Sequence, residues 1–326
     1  MFIIRRTFRN GLLMIGISLF SFVLLQIAPG SFFDEMRLNP QVSPETIARL
    51  SSQYGLEKPL PIRYFSWLKS VVKGDWGVSL AYNAPVAPLL ITRAKNTLLL
   101  TATATLLSWG FALPVAVLSA AAATGRRRRW IDHLTSLMTT VLLVVPDLLF
   151  ALGMLWIAVR THWWYAGGML TPGLERQNAW PQVKDLALHL IGPVTVLVLG
   201  SLPILLRHVR TAMLEALSLP FIKAVRGHGV SSGRILFRHA LPAAAGPLVS
   251  LFGLSVGTML SSSLLVEVVM NWPGIGPVLL EAILARDVYV VIAAVVFSSI
   301  FLVVGMFLAD CLLFLVDPRI RTEGLA

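Results

Sequence analysis

The sequence predicts an all-α membrane protein with six transmembrane helices, N- and C-termini in the cytoplasm, and a small periplasmic segment after the first helix. Three observations carry that expectation. Of its 326 residues 56% are hydrophobic and 13% charged, with a mean hydropathy of +0.77, whereas a soluble domain carries about a quarter charged residues. Six stretches are apolar for close to the roughly 20 residues that a helix needs to cross the hydrocarbon core. The basic residues of the short connections gather in alternate connections, which places them on one side.

The first apolar run, Gly11 to Ala28, follows Arg5, Arg6 and Arg9. No small-x-small cleavage site closes it and Pro29 follows directly, so residues 1–29 are expected to be the N-terminus and a retained first span rather than a signal peptide. Residues 30–96 form a periplasmic segment with structure of its own: Ser43 is placed to cap a helix running to Tyr54 with Pro44 at its first position, and a second helix is expected from Ile62 to Val72. Residues 97–326 form the core. Its five spans fall at about 97–119, 134–158, 189–206, 244–268 and 289–315.

Six spans put both ends on one side. With the N-terminus in the cytoplasm, the run Arg126 to Arg129, the loop 207–243 with Arg207, Arg210, Lys223, Arg226, Arg234 and Arg238, and Arg319 and Arg321 all lie inside. With the first three arginines these make fifteen of the 27 basic residues. Most of the remainder sit in the long segment 30–96, and long segments cross largely regardless of charge. The net charge of +11 is therefore read as topology and contact with anionic membrane lipids, and no nucleic acid is expected as a partner.

The fifth span spaces Gly253, Gly257 and Ser261 by four, and Gly246 and Ser250 likewise. One face is nearly bare backbone, suited either to tight packing within the chain or to a pathway or subunit contact. Asp147, Glu267 and Asp310 near span boundaries are costly toward lipid and are expected to face protein or water. Asp147 beside Pro146 is a candidate lining residue of a translocation path, or a structural hydrogen-bonding group. The one cysteine, Cys311, excludes an intrachain disulfide and is read as a packing residue.

Several chemistries lack their residues. No HExxH, CxxC or clustered His and carboxylates mark a metal site, and no Gly-Lys dipeptide exists from which to build a Walker A loop, so ATP hydrolysis by that route is excluded. Gly229, Ser231 and Gly233 spell GxSxG, yet a nucleophile elbow needs a strand before the serine and a helix after it. The segment before Gly229 is basic and helical in pattern. No enzymatic activity is expected of the chain, and an intramembrane hydrolase is the remote alternative.

The segment KAVRGHGVSSGRILFRHALP, residues 223–242, is the most polar connection in the core. Pro220 starts a short helix to His228, Gly229 stops it with a left-handed turn, and Ser231 caps a second helix ending before Pro242. Phe221, Ile222 and Val225 gather on one side with Lys223 and Arg226 elsewhere, an apolar ridge with a basic rim. Such a helix suits either a protein groove or the lipid surface.

The spacing in this segment resembles the cytoplasmic EAA loop of ABC importer permeases, whose form is E-A-A, three residues, G, nine residues, I-x-L-P. Laid on this chain it runs from Lys223, Ala224 and Val225 through Gly229 to His239, Leu241 and Pro242. Lys223 stands at the glutamate position and His239 at the isoleucine. VRGHGVS and RHAL resemble the dipeptide, oligopeptide and nickel permease subfamily, as do YGLEKPLPIRYFSWLKSVVKGDWGVSL at Tyr54 to Leu80, EVVMNWPGIGPVLLEAILARD at Glu267 to Asp287, and DPRIR at Asp317 to Arg321. These segments match the first permease subunit type and cover nearly the whole chain.

The resemblance implies a type I importer permease in the bacterial inner membrane, moving peptides or a small solute such as a nickel chelate. Its loop would be a coupling element, Phe221 to Gly229, seated in a groove of an ATPase subunit, with Pro242 stiffening the return into the fifth span. Trp272, Pro273, Gly274 and Gly276 would form a rigid turn at the outer gate or docking face, with Trp272 equally suited to anchor at the membrane interface. The partners implied are a second homologous permease, two ABC ATPase subunits and a substrate-binding protein. No cofactor is expected on this chain, with ATP and Mg on the partners. A self-contained secondary transporter or channel is the alternative, and it would need coupling-ion or filter residues within the spans.

Overall fold

The structure, a computed structural model, describes residues 2–27, 37, 43–53, 59–123, 129–174 and 179–316. Its long helices are α1 (Phe2–Ile27), α4 (Val86–Ala123), α7 (Ala179–Ser218), α9 (Ala245–Val269) and α11 (Val288–Val316), and shorter ones are α2 (Pro44–Gln53), α3 (Leu60–Val72), α5 (Arg129–Val144), α6 (Asp147–Thr161), α8 (Pro220–Gly227) and α10 (Ile275–Leu284). Among the described residues five helices are long and apolar enough to cross a membrane, six if α5 and α6 count as one span.

That pair divides the expected span at 134–158. α5 and α6 meet at 92°, and Pro146, with φ −61° and ψ 145°, leaves the helical region between them. Proline disfavours a helical residue before it and has no N–H to continue the ladder. The apolar run is continuous in sequence while the backbone is not.

The chain divides into two compact units, residues 1–96 with 273–301 and residues 97–272 with 302–326. The first is held by an aromatic cluster: Phe22 and Tyr64 meet edge to face at 5.7 Å, Trp67 lies beside Tyr64, and Ile292 is fully buried with them. The Tyr64 hydroxyl donates to the Ile15 carbonyl and shares a hydrogen bond with Ser18, pinning α3 to α1. The expected helices are present as α2, whose Ile47 N–H bonds the Ser43 carbonyl, and as α3, which starts at Leu60. The end of the first at Tyr54, the basic run 126–128 and the ending 317–321 lie outside the described residues.

In the second unit, α4, α7 and α9 enclose one core of Ala112, Ala116, Leu205, Val209 and Leu248 and another around Leu100, Val196, Met259 and Trp272. A Cβ at Gly257 would lie 2.2 Å from a Leu302 methyl, and one at Gly305 would lie 2.5 Å from Val256. The small-residue face of α9 is thus used at Gly257 to bring α11 close within the chain. Cys311 is exposed rather than packed inside. Large apolar side chains such as Leu106, Val144 and Trp156 stay more than half exposed, which suits a surface solvated by lipid.

Candidate functional site

α8 is a two-turn helix mounted on its own chain. Leu219 is extended, Pro220 takes the first helical position, and the Leu219 N–H returns to the Ala216 carbonyl of α7. Ile222 is completely buried in one core cluster with Met213, Ala216, Ile235, Leu236 and Ala240, and Val225 and Val230 pack against that cluster. Burying an isoleucine side chain is worth about 1.5–3 kcal/mol, so this contact fixes how α8 sits. The expected apolar ridge is therefore divided. Ile222 and Val225 turn inward as a seat, while Phe221 (46% exposed), Ala224 and His228, spaced i, i+3 and i+7, form an outward stripe flanked by exposed Lys223 and Arg226.

The helix ends as its residues dictate. Gly229 adopts φ +77°, a conformation costly to residues with a Cβ, and its N–H bonds the Arg226 carbonyl. His228 Nδ1 lies 2.8 Å from the Ala224 carbonyl. Beyond the turn, Ser231 precedes a helical turn, Ser232–Ile235, without a side-chain capping bond. The chain then runs through a π turn, Leu236–Ala240, into Leu241–Ala243. The second helix does not stop before Pro242. Pro242 lies in the first turn of the next helical piece, where no N–H partner is needed. His239 and Leu241 are half-buried along this connection.

The turn at Trp272 to Gly276 follows a helix end that composition did not foretell. Asn271 is left-handed at φ +49°, the Trp272 N–H bonds the Glu267 carbonyl at 2.8 Å, and the Asn271 N–H bonds Val268. This 6→1 and 5→2 pair is a Schellman motif. Trp272 is fully buried, a core residue rather than an interface anchor, and Gly274 and Gly276 are buried too. Gly274, at φ −97°, is in extended backbone open to any residue. The Pro273 carbonyl accepts a hydrogen bond from Asn96 Nδ2 at 2.8 Å.

Asp147 opens α6 at the bend and packs against Gly200 of α7, where a Cβ would lie 2.3 Å from its Oδ1. Glu267 is fully buried. Two charged groups were not singled out in the sequence. Asp132 of α5 receives Arg210 of α7 through both oxygens, Nε at 2.6 Å and Nη2 at 2.9 Å, and Ser119 at 2.9 Å. A lone acid between the run Arg126 to Arg129 and an apolar span is the signal that marks it. Asp287, fully buried, accepts from Ser79 and from the Ala81 N–H; an Asp immediately before an apolar run is a cap signal. Tyr82 nearby donates to Glu281, and burial together with that carboxylate pushes its hydroxyl up to about 12.

Residues 112–322 match the family described as binding-protein-dependent transport system inner membrane component, and residues 1–101 match the N-terminal part described for the same systems. The chain belongs to this family. It is a permease subunit of an ABC importer in the inner membrane, a transport rather than a catalytic chain, and such a system includes an ATPase and a binding protein.

This permease is 33% identical over 321 residues to the oligopeptide transport system permease protein AppB of Bacillus subtilis, covering 98% of this chain and 99% of that one. It is 31% identical to the dipeptide transport system permease protein DppB of Escherichia coli K12, covering 94% of each. Among solved structures, an inward-facing MetNI methionine ABC transporter chain matches with a TM-score of 0.53 and 18% identity, over 70% of this chain and 96% of that one. This last likeness concerns the fold alone.

Proposed function

We propose that this permease carries peptides, and that α8 is the element through which an ATPase subunit drives it. The peptide reading is carried by similarity to AppB and DppB along nearly the full length of both chains. The coupling reading is supported by the two sides of α8: Ile222 locked in the core, and Phe221, Ala224 and His228 left bare with two cations beside them. A helix fixed on one side and exposed on the other transmits a partner's displacement as a rigid body. The ATPase pair would hold ATP and Mg, since this chain has no phosphate-binding loop.

In this reading the loop 207–243 is cytoplasmic, as are both termini, and 30–96 is periplasmic. A second related permease completes the pathway, and the binding protein selects the solute. The buried turn from Pro273 to Gly276 would stiffen the outer gate from within, and Asp147 would sit where the bend meets the path. Reconstituting the chain with its partner subunits in proteoliposomes and measuring uptake of labelled dialanine tests the proposal. ATP-dependent uptake is expected. Uptake driven by an ion gradient without ATP would instead favour a secondary transporter.

A further inference from the structure

α5 is an apolar helix with one polar side. Asp132, Thr135, Ser136, Thr139 and Thr140 recur at intervals of three and four, which places them on one face. The other face presents Leu134, Leu137, Met138 and Val141, all about half exposed or more. Opposite the polar face, α7 brings Arg207, Arg210 and Thr211, and the two rows line a partly open cavity of about 370 Å³ whose wall is completed by Leu143, Val144, Pro203 and Leu206.

The lining is chemically specific. Arg210 is spent on Asp132, whereas Arg207 has no ion-pair partner among the described residues. The hydroxyls of Thr135, Thr139 and Thr140 donate to carbonyls of their own helix at 2.8 to 2.9 Å, which leaves their oxygens as acceptors. A row of hydroxyl acceptors along an apolar helix is unfavourable against hydrocarbon, Arg207 stands where the neighbouring span ends, and the volume equals roughly a dozen waters at about 30 Å³ each. A lipid headgroup would engage only the arginine end, yet the hydroxyl row continues from Thr135 to Thr140, about 7 Å along the helix.

We infer that this cavity is a water-filled stretch of the solute path, in which Thr139 and Thr140 accept hydrogen bonds from peptide N–H groups while Arg207 attracts the terminal carboxylate. The inference rests on the peptide-importer reading above and adds the residues that touch the solute.

The complete importer, with Cys311→Ser as background, is the object for the test. Thr139→Cys is compared with Leu137→Cys for reaction with a charged, membrane-impermeant methanethiosulfonate applied to both faces of the vesicle, with and without dialanine, binding protein and ATP. Thr139→Cys is expected to react at least tenfold faster and to be protected during turnover. Equal slow rates would place the helix in lipid and overturn the inference, as would fast labelling without protection. ATP-driven uptake by the parent, measured first, decides the importer reading separately.

Discussion

The Ser79 hydroxyl donates to Asp287 at 2.6 Å across 208 residues of sequence. The same carboxylate takes the Ala81 N–H at 3.0 Å and, through its other oxygen, the Val290 N–H at 3.3 Å at the start of α11. The Asp287 N–H in turn closes α10 on the Ala282 carbonyl, with Arg286 left-handed between them. One residue therefore ends one helix, begins the next and holds a distant loop.

Ser79→Ala should lower stability by about 1.5–3 kcal/mol, the range for hydrogen bonds to a charged group. Asp287→Ala should cost more, since it also uncaps α11. Thermal melting of the detergent-solubilised chain, followed by loss of the monodisperse peak, measures both. Equal melting of Ser79→Ala and the parent would count against the tether.

The Asp132 and Arg210 pair should respond differently to one deletion and to two. Asp132→Ala strands a cation beside apolar helices and should cost roughly 1–3 kcal/mol, below the 3–5 of a fully buried pair, because Arg210 keeps 31% of its side chain exposed. Adding Arg210→Met should recover part of the loss. A double variant no more stable than Asp132→Ala would count against a stranded cation as the source of the loss.

Cysteines at Ser52 and Ser232, both exposed, should label from opposite faces of intact cells. Labelling from the same face would reverse the proposed topology.

Ala224→Leu places bulk on the outward stripe of α8, and Gly229→Val forces a β-branched residue to φ +77°, at a cost of about 1–2 kcal/mol. No atom lies within 4 Å of a Cβ at Gly229, so the cost is conformational and Gly229→Asn should be milder. Both severe variants should reach the membrane yet lose the ATPase on gentle detergent extraction, or hydrolyse ATP without uptake. Retention of both functions in both variants would remove α8 as the coupling element.

The sequence announced elements punctuated by proline and glycine, because those residues act through their own backbone. α8 between Pro220 and Gly229 is the clearest case. It did not announce which side of α8 faces inward, since Ile222 and Phe221 are equally apolar and only the distant Met213, Leu236 and Ala240 distinguish them. The size of the bend at Pro146 was hidden for another reason: hydropathy records how apolar a segment is and nothing about its direction. Asp287 and Asp132 escaped notice because their partners lie far along the chain. Left-handed Asn271 and Arg286 escaped because neither is glycine.

The π turn at Leu236–Ala240 has a bearing on register. A π turn holds about one residue more than an α turn, and each residue of an α-helix advances about 100° around the axis. Removing a single residue there, Phe237 for instance, would let the turn relax to ordinary α geometry with little net rotation, whereas forcing the full set of residues into α geometry would rotate everything between it and Gly229 by about that angle relative to α9. Ile235 would then leave its pocket beside Ile222. The π geometry works as a phase setting, absorbing one surplus residue so that the azimuth at which the short helix is presented is kept.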